Sequence, residues 1–299
     1  MRSGEAEVRA LRLGDEPLVP AGPTRRGHAS LASVWEYRGL LVLLTRREIK
    51  VRYKDSSLGL LWNLIRPLVL LLVYYVAIGR FLGAERAIPD FAIYLFTGLT
   101  IWLLFNEIVA SGTGSIVANG GLVKKVYLPR QVFPLSAIGS SLFNFLINLA
   151  VLVAATVVVA KVPTGSRLLY APAAILVTVL FGTALGLMLA AVNVYLRDVQ
   201  YLVEVALMVW FWTTPTVYSW SQVEAALADR PALLEVYLAN PVTIAVLGFQ
   251  RAFWVAGDPA SFPSDLGLRL LVMAAVSTVL LFIAHRVFVR LEGNFAQEL

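Results

Sequence analysis

Hydrophobic positions dominate the chain in blocks too long for the core of a soluble domain. Six apolar stretches, at about 60–82, 91–110, 132–160, 170–192, 199–219 and 268–289, are each long enough to cross a bilayer as a helix. Between them the chain is polar and short, except at 220–267. That segment holds two moderately apolar pieces, 232–239 and 242–256, divided by Asn240-Pro241. Neither spans comfortably, so re-entrant or interfacial gate helices on the outer side are expected there. Residues 1–30 are polar and rich in Gly and Pro, with no apolar core of a signal peptide, and read as a flexible cytoplasmic tail. Residues 31–58 mix a short apolar run, Leu40–Leu44, with a basic second half. This is the pattern of an amphipathic helix lying in the membrane interface. The expected fold is an all-α membrane protein: this interfacial helix, then a six-span domain over 59–299.

Composition supports that class. Of 299 residues, 59% are hydrophobic and 15% charged, against about 45–50% and about 25% in average soluble domains. Charge placement sets the orientation. Segments 1–59, 111–131, 193–198 and 286–299 carry 17 of the 25 Lys and Arg residues. The alternate segments 80–90, 161–169 and 220–269 carry seven, and Arg66 lies within the first span. The positive-inside rule then puts both termini in the cytoplasm.

Enzymatic chemistry finds little support. There is no cysteine, no G-x-x-x-x-G-K-[ST] loop, no H-E-x-x-H and no G-x-S-x-G. Ser111-Gly112-Thr113-Gly114-Ser115 is glycine-rich but lacks the lysine that reaches a phosphate. The only histidines, His28 and His285, are far apart in sequence, and no catalytic or metal-ligating set is expected. Glu107 and Glu204 sit near the cytoplasmic ends of spans and read as interface residues rather than a proton relay. The outer acids Asp90, Glu224, Asp229, Asp258 and Asp265 form no interpretable spacing. A secondary transporter would carry internal repeats and polar intramembrane sites, neither of which is evident.

Four motifs carry signal. In the first, Arg46, Arg47, Lys50, Arg52 and Tyr53 lead into Gly59 and Trp62, a basic helix that turns into span 1. It anchors anionic lipid, or it acts as an elbow that rocks the span. In the second, Leu122, Lys124, Lys125, Val126, Tyr127, Pro129 and Arg130 make the cytoplasmic loop 111–131 both basic and amphipathic, a surface suited to a protein partner. Third, Arg197-Asp198 marks a tight turn between spans 4 and 5. Fourth, aromatic residues gather in spans 1 and 5: Tyr74, Tyr75 and Phe81, then Trp210, Phe211, Trp212 and Tyr218. Successive helical positions turn by about 100°, so the three neighbours in span 5 cannot share one face. Aromatic faces stack on the C–H face of a sugar, and Pro215 kinks a span that lines a cavity.

Taken in order, these motifs resemble the permease subunit of a polysaccharide ABC exporter of the ABC-2 type, a family that exports O-antigens, teichoic acids and capsular polymers. The resemblance covers about 31–298 and rests on Arg46 to Trp62, Lys125-x-Tyr127-x-Pro129-Arg130-x3-Pro134, Arg197-Asp198, Pro215-x2-Tyr218, Asn240-Pro241 and the ending Phe295-Ala296-x2-Leu299. It implies a homodimer in a bacterial inner membrane with two copies of a separate ATPase, which binds ATP and Mg; this chain itself would hold no cofactor and contact no nucleic acid. A coupling helix within 113–128 would seat on the ATPase. Spans 1 and 5 would line the conduit, and 230–256 would form its outer gate. Arg46, Arg47, Lys50 and Arg52 would meet the diphosphate of a lipid-linked glycan. An ABC-2 exporter of a small hydrophobic molecule is the alternative.

Overall fold

The computed structural model describes residues 36–53, 59–125 and 128–299. The tail 1–30, and Val126 and Tyr127 of the coupling loop, lie outside the described residues. Every described element is helical. In chain order they are α1 (Arg38–Tyr53), α2 (Trp62–Tyr74), α3 (Phe91–Ala118), α4 (Gly120–Lys125), α5 (Val132–Val158), α6 (Tyr170–Tyr195), α7 (Val199–Trp212), α8 (Trp220–Ala226), α9 (Pro231–Leu238), α10 (Pro241–Phe253), α11 (Leu266–Leu291) and α12 (Phe295–Glu298), joined by short 3₁₀ and single-turn pieces. A π-helical turn, Tyr75–Phe81, prolongs α2.

Five helical segments have the length and apolarity to cross a membrane: Trp62–Phe81, Phe91–Ala118, Val132–Val158, Gly165–Tyr195 and Leu266–Asn294. They match five of the six expected spans. The remaining one, expected over 199–219, differs: α7 stops after 14 residues. At about 1.5 Å per residue it falls well short of a bilayer core of about 30 Å. The cause is local. Pro215 has no N–H to give and disfavours helical geometry in the residue before it. The hydroxyls of Thr213 and Thr214 turn back onto the carbonyls of Trp210 and Phe211, both at 2.8 Å. Beyond this break, a Ser219/Gln222 capping box starts α8. Helices α9 and α10 then meet at 79°, a bent pair at the Asn240-Pro241 break. Asn240 Oδ1 accepts from Val242 N at 3.0 Å, and Pro241 fills the first helical position, where its missing N–H is no loss.

The helices are unequally buried. In α3, 78% of the apolar window is buried within the chain, against 11% in the first span and 22% in the last. The centre is therefore α3, packed by α5, α6 and α10, while the first and last spans offer apolar faces to lipid or to another subunit. Small residues permit the tightest crossing. A Cβ on Gly112 of α3 would lie 3.1 Å from Gly186 Cα of α6, so the two helices meet backbone to backbone. Helix α10 is buried along nearly its whole length and packs against α6, α3 and α11. It thus belongs to the core, although it is shorter than a span.

Candidate functional site

At the start of the first span, α1, α2, α3 and α5 surround a groove of about 540 Å³. Gly59 makes the turn into it with φ 47°, in the left-handed region that glycine tolerates. Arg52 of α1 is paired with Glu107 of α3, whose Oε1 also accepts from Asn144 Nδ2 of α5 at 2.5 Å. Asn144 Oδ1 in turn accepts from Asn63 Nδ2 of α2 at 2.7 Å. One polar chain thus crosses four helices. Arg66, Asn106, Ser111 and Asn148 complete the polar lining, with Trp62 at the rim.

This corrects the expectation for Glu107. It stands eleven residues before the end of α3, because that helix runs on to Ala118 rather than closing near 110. It is a structural counterion that fixes α1 against the spans. Two of the four basic residues expected to meet a diphosphate have partners within the chain: Arg52 on Glu107, and Arg47, whose Nη1 donates to Asn119 Oδ1 at 3.2 Å. Arg46 and Lys50 are exposed. Helix α1 also packs closely on α5, where a Cβ on Gly139 would come within 2.9 Å of Thr45 Oγ1.

The expected coupling loop forms the short helix α4 after a break at Asn119. Val123 is buried, Leu122 half-buried, and Lys124 and Lys125 are exposed. Val123 joins a cluster with Ile116, Phe133, Phe288 and Phe295. The C-terminal turn closes this cluster. Phe295 lies edge-on to Phe288 and Tyr195, with ring centroids 5.5 and 6.1 Å apart, and the Arg130 guanidinium sits 5.8 Å from its ring. Leu299 packs beside Gly120, and Arg197 Nη2 donates to the Leu299 carbonyl at 3.3 Å. The structure therefore gathers Leu122, Arg130 and Arg197 in one place and adds a member from the far end of the chain. Pro129 ends the loop before α5, and Asp198 is exposed at the start of α7.

The aromatic residues divide. Trp210 packs edge-on against Phe105 and Phe181 at 5.3 and 5.9 Å, and its Nε1 donates to Asn240 Oδ1 at 3.3 Å. Phe211 is buried between Tyr74 and Trp102, at 5.6 and 5.4 Å. Tyr75 stacks on Phe91 and donates to Glu85 Oε2 at 3.0 Å. Phe81 and Trp212, 81% and 54% exposed, are the most exposed of the seven, although Trp212 still meets Phe211 and Tyr74 edge-on at 5.5 and 6.4 Å. Tyr218 closes the break at Pro215: its hydroxyl donates to the Trp212 carbonyl at 3.0 Å and lies 3.3 Å from that of Tyr237.

Sequence reasoning passed over several residues. The buried Tyr94 hydroxyl lies within hydrogen-bond reach of the carbonyls of Tyr218 at 2.6 Å and Pro215 at 3.0 Å, and Gln250 Nε2 donates to Pro215 as well at 2.9 Å. These side chains satisfy the unwound carbonyls after α7. A second, smaller cavity of about 160 Å³ adjoins them, lined by Tyr94, Trp220, Gln250 and Trp254 among others. The groove asparagines had a readable signal, since Asn144 and Asn148 recur one turn apart in a span that carries no charged residue. Among the described residues no group of three or more His, Cys, Asp or Glu could hold a metal ion.

Comparison with known proteins bears on this arrangement as a whole. Residues 39–254 match the ABC-2 type transporter family. The chain is 33% identical over 266 residues to the O-antigen export system permease protein RfbA of Myxococcus xanthus, covering 89% of this chain and 97% of that one. It is 28% identical over 214 residues to the protein of the same name from Klebsiella pneumoniae, covering 72% and 80%. A shorter likeness, 33% over 108 residues, joins it to the polysialic acid transport protein KpsM of Escherichia coli, covering 35% and 40%. All of α1 but its first residue, α4 and the broken pair α9–α10 lie within the matched range, and the chain is a member of the ABC-2 type transporter family of membrane permeases.

Proposed function

We propose that this chain is the membrane permease of an ABC exporter that carries a lipid-linked cell-envelope polysaccharide out of the cytoplasm. The observation that carries the reading is the likeness to an O-antigen export permease over 97% of that protein's length. The chain works as a homodimer with two ATPase subunits, which bind ATP and Mg, and both termini lie in the cytoplasm, in line with the charge count. Closure of the ATPases pushes on α4 and, through the Arg47–Asn119 and Arg52–Glu107 contacts, on α1. The first span and α7 then shift in both copies and open a conduit between them. The exposed Phe81 and Trp212 offer stacking faces along it, and α8 to α10 form the outer gate around Pro215, Asn240 and Pro241.

The test is depletion of the protein, followed by measurement of polyprenyl-linked glycan in the cytoplasm and of polymer at the surface. The expected result is intracellular build-up with loss of surface polymer. Unchanged glycan pools with new sensitivity to small hydrophobic compounds would replace this reading with the small-molecule exporter.

A further inference from the structure

The groove beside Gly59 holds one positive charge that no described residue balances. Arg52 is neutralised by Glu107. Arg66, one turn past Trp62 in the first span, lines the same groove and has no hydrogen-bond or ion-pair partner among the described residues. A cation inside a span is costly and is retained where it meets a ligand or a water-filled cavity. The remaining lining is neutral and rich in hydrogen-bonding groups. Asn148 is only 8% exposed, and its Oδ1 is buried without a hydrogen-bond partner. An orphaned buried acceptor calls for a hydrogen-bond donor, so a hydroxyl or water carried by a bound molecule answers the Oδ1, while a phosphate oxygen can pair only with an amide Nδ2. The volume lies within the range of roughly 300–1,000 Å³ typical of ligand sites. Trp62 of the lining is exposed, and so are the apolar Leu61, Leu68 and Val69 of the same segment, as an acyl or prenyl chain would require.

We propose that this groove binds the phosphate headgroup of a membrane-borne lipid, with Arg66 as its ion-pair partner and the asparagine side chains as neutral hydrogen-bonding groups. Arg52 is held by Glu107, so among the described lining residues Arg66 is the cation left for the anion. A guanidinium presents its donors in a planar fork that matches phosphate oxygens. Two sources share this chemistry: the diphosphate of a polyprenyl-linked substrate and the phosphate of a bulk anionic lipid. The first of these rests on the exporter reading above.

The test uses the purified full-length chain in nanodiscs of phosphatidylcholine, with undecaprenyl diphosphate as probe and undecaprenol and phosphatidylglycerol as competitors. The diphosphate is expected to bind and undecaprenol to fail as a competitor. Arg66→Gln should weaken binding about tenfold, the loss of one charge-assisted pair. Arg66→Lys should restore most of it, and Lys161→Gln, far along the chain and paired with Asp90, should leave it unchanged. Competition by phosphatidylglycerol at equal strength would identify the source as bulk lipid; its failure would identify the substrate. Equal binding by wild type and Arg66→Gln, no binding of the diphosphate, or competition by undecaprenol as strong as by the diphosphate, would overturn the proposal. Surface polymer in a depleted strain is measured separately, so a failed export reading leaves the binding result intact.

Discussion

Arg47 on α1 donates to the side chain of Asn119, the single residue between α3 and α4. Asn119 is buried, and its own Nδ2 donates to the Ser115 carbonyl at 2.9 Å. The amide thus faces two ways, holding the end of α3 with one atom and α1 with the other. The contact makes α1 and α4 neighbours although 72 residues separate the two partners. Force applied at α4 has a direct route to α1.

That route predicts a separation of function. Arg47→Gln removes an exposed charge and Asn119→Ala removes the acceptor. The bond itself contributes only about 0.5–1.5 kcal/mol to stability. Both variants should therefore insert and accumulate normally, while exported polymer per inserted protein falls severalfold. Surface polymer quantified against membrane protein checks this, and normal export by both variants would remove the contact from the coupling path.

The backbone crossing of α3 and α6 predicts a different kind of damage. Gly112→Ala sets a Cβ 3.1 Å from Gly186 Cα, where backbone must give way. Overpacking of this kind costs about 1–3 kcal/mol. Gly39→Ala in α1 meets nothing within 4 Å. There the gain in helix propensity should stabilise by about 0.5–1 kcal/mol. Thermal unfolding in detergent should rank Gly39→Ala at or above wild type and Gly112→Ala clearly below. Equal midpoints for the two would mean that the crossing is looser than described.

Much of this architecture was legible in the chain, because length and hydropathy decide spans directly. The runs that became α3, α5, α6 and α11 needed no tertiary information, and Gly59 and Asn240-Pro241 marked their breaks by backbone chemistry alone. The end of α7 was not legible. Pro215 signals a kink, but whether the chain resumes its helix depends on Tyr94 and Gln250, which arrive from α3 and α10 to satisfy the freed carbonyls. The groove was hidden for a related reason: Asn63, Glu107 and Asn144 are dispersed in sequence and meet only when four helices pack. Nor could periodicity say which of Trp210, Phe211 and Trp212 faces inward, since rotation about a helix fixes relative directions and not the neighbours.

The carbonyls after α7 give a further prediction. Tyr94→Phe keeps the ring against Trp254, 4.9 Å away, and removes only the hydroxyl. Gln250 still donates to Pro215, so the Tyr218 carbonyl loses the closer of the two Tyr94 contacts. The expected loss is about 1–3 kcal/mol. Gln250→Leu added to Tyr94→Phe strips the Pro215 carbonyl of both its side-chain donors, and the double variant should lose more than the two single losses together. Strict additivity in unfolding free energies would show that the two side chains do not share the load.

The C-terminal turn supplies the last prediction. Phe295 is fully buried, and its ring meets Phe288, Tyr195 and the Arg130 guanidinium. Four residues on, Leu299 rests beside Gly120 of α4. Phe295 and Leu299 therefore form a wedge against α4. Phe295→Ala should open a cavity at a cost of about 3–5 kcal/mol. Most of that loss should fall on this small cluster, since α3, α5 and α6 pack chiefly through another core. Hydrogen exchange should then rise at α4 and at the Arg130 turn while the α3–α6 crossing keeps its protection, and polymer export should drop with it. Removing only Leu299 should give a weaker version of the same pattern, because the Arg197 contact goes while the Phe295 ring stays. Uniform loss of protection across all helices would show instead that Phe295 supports the whole fold and does not specifically position α4.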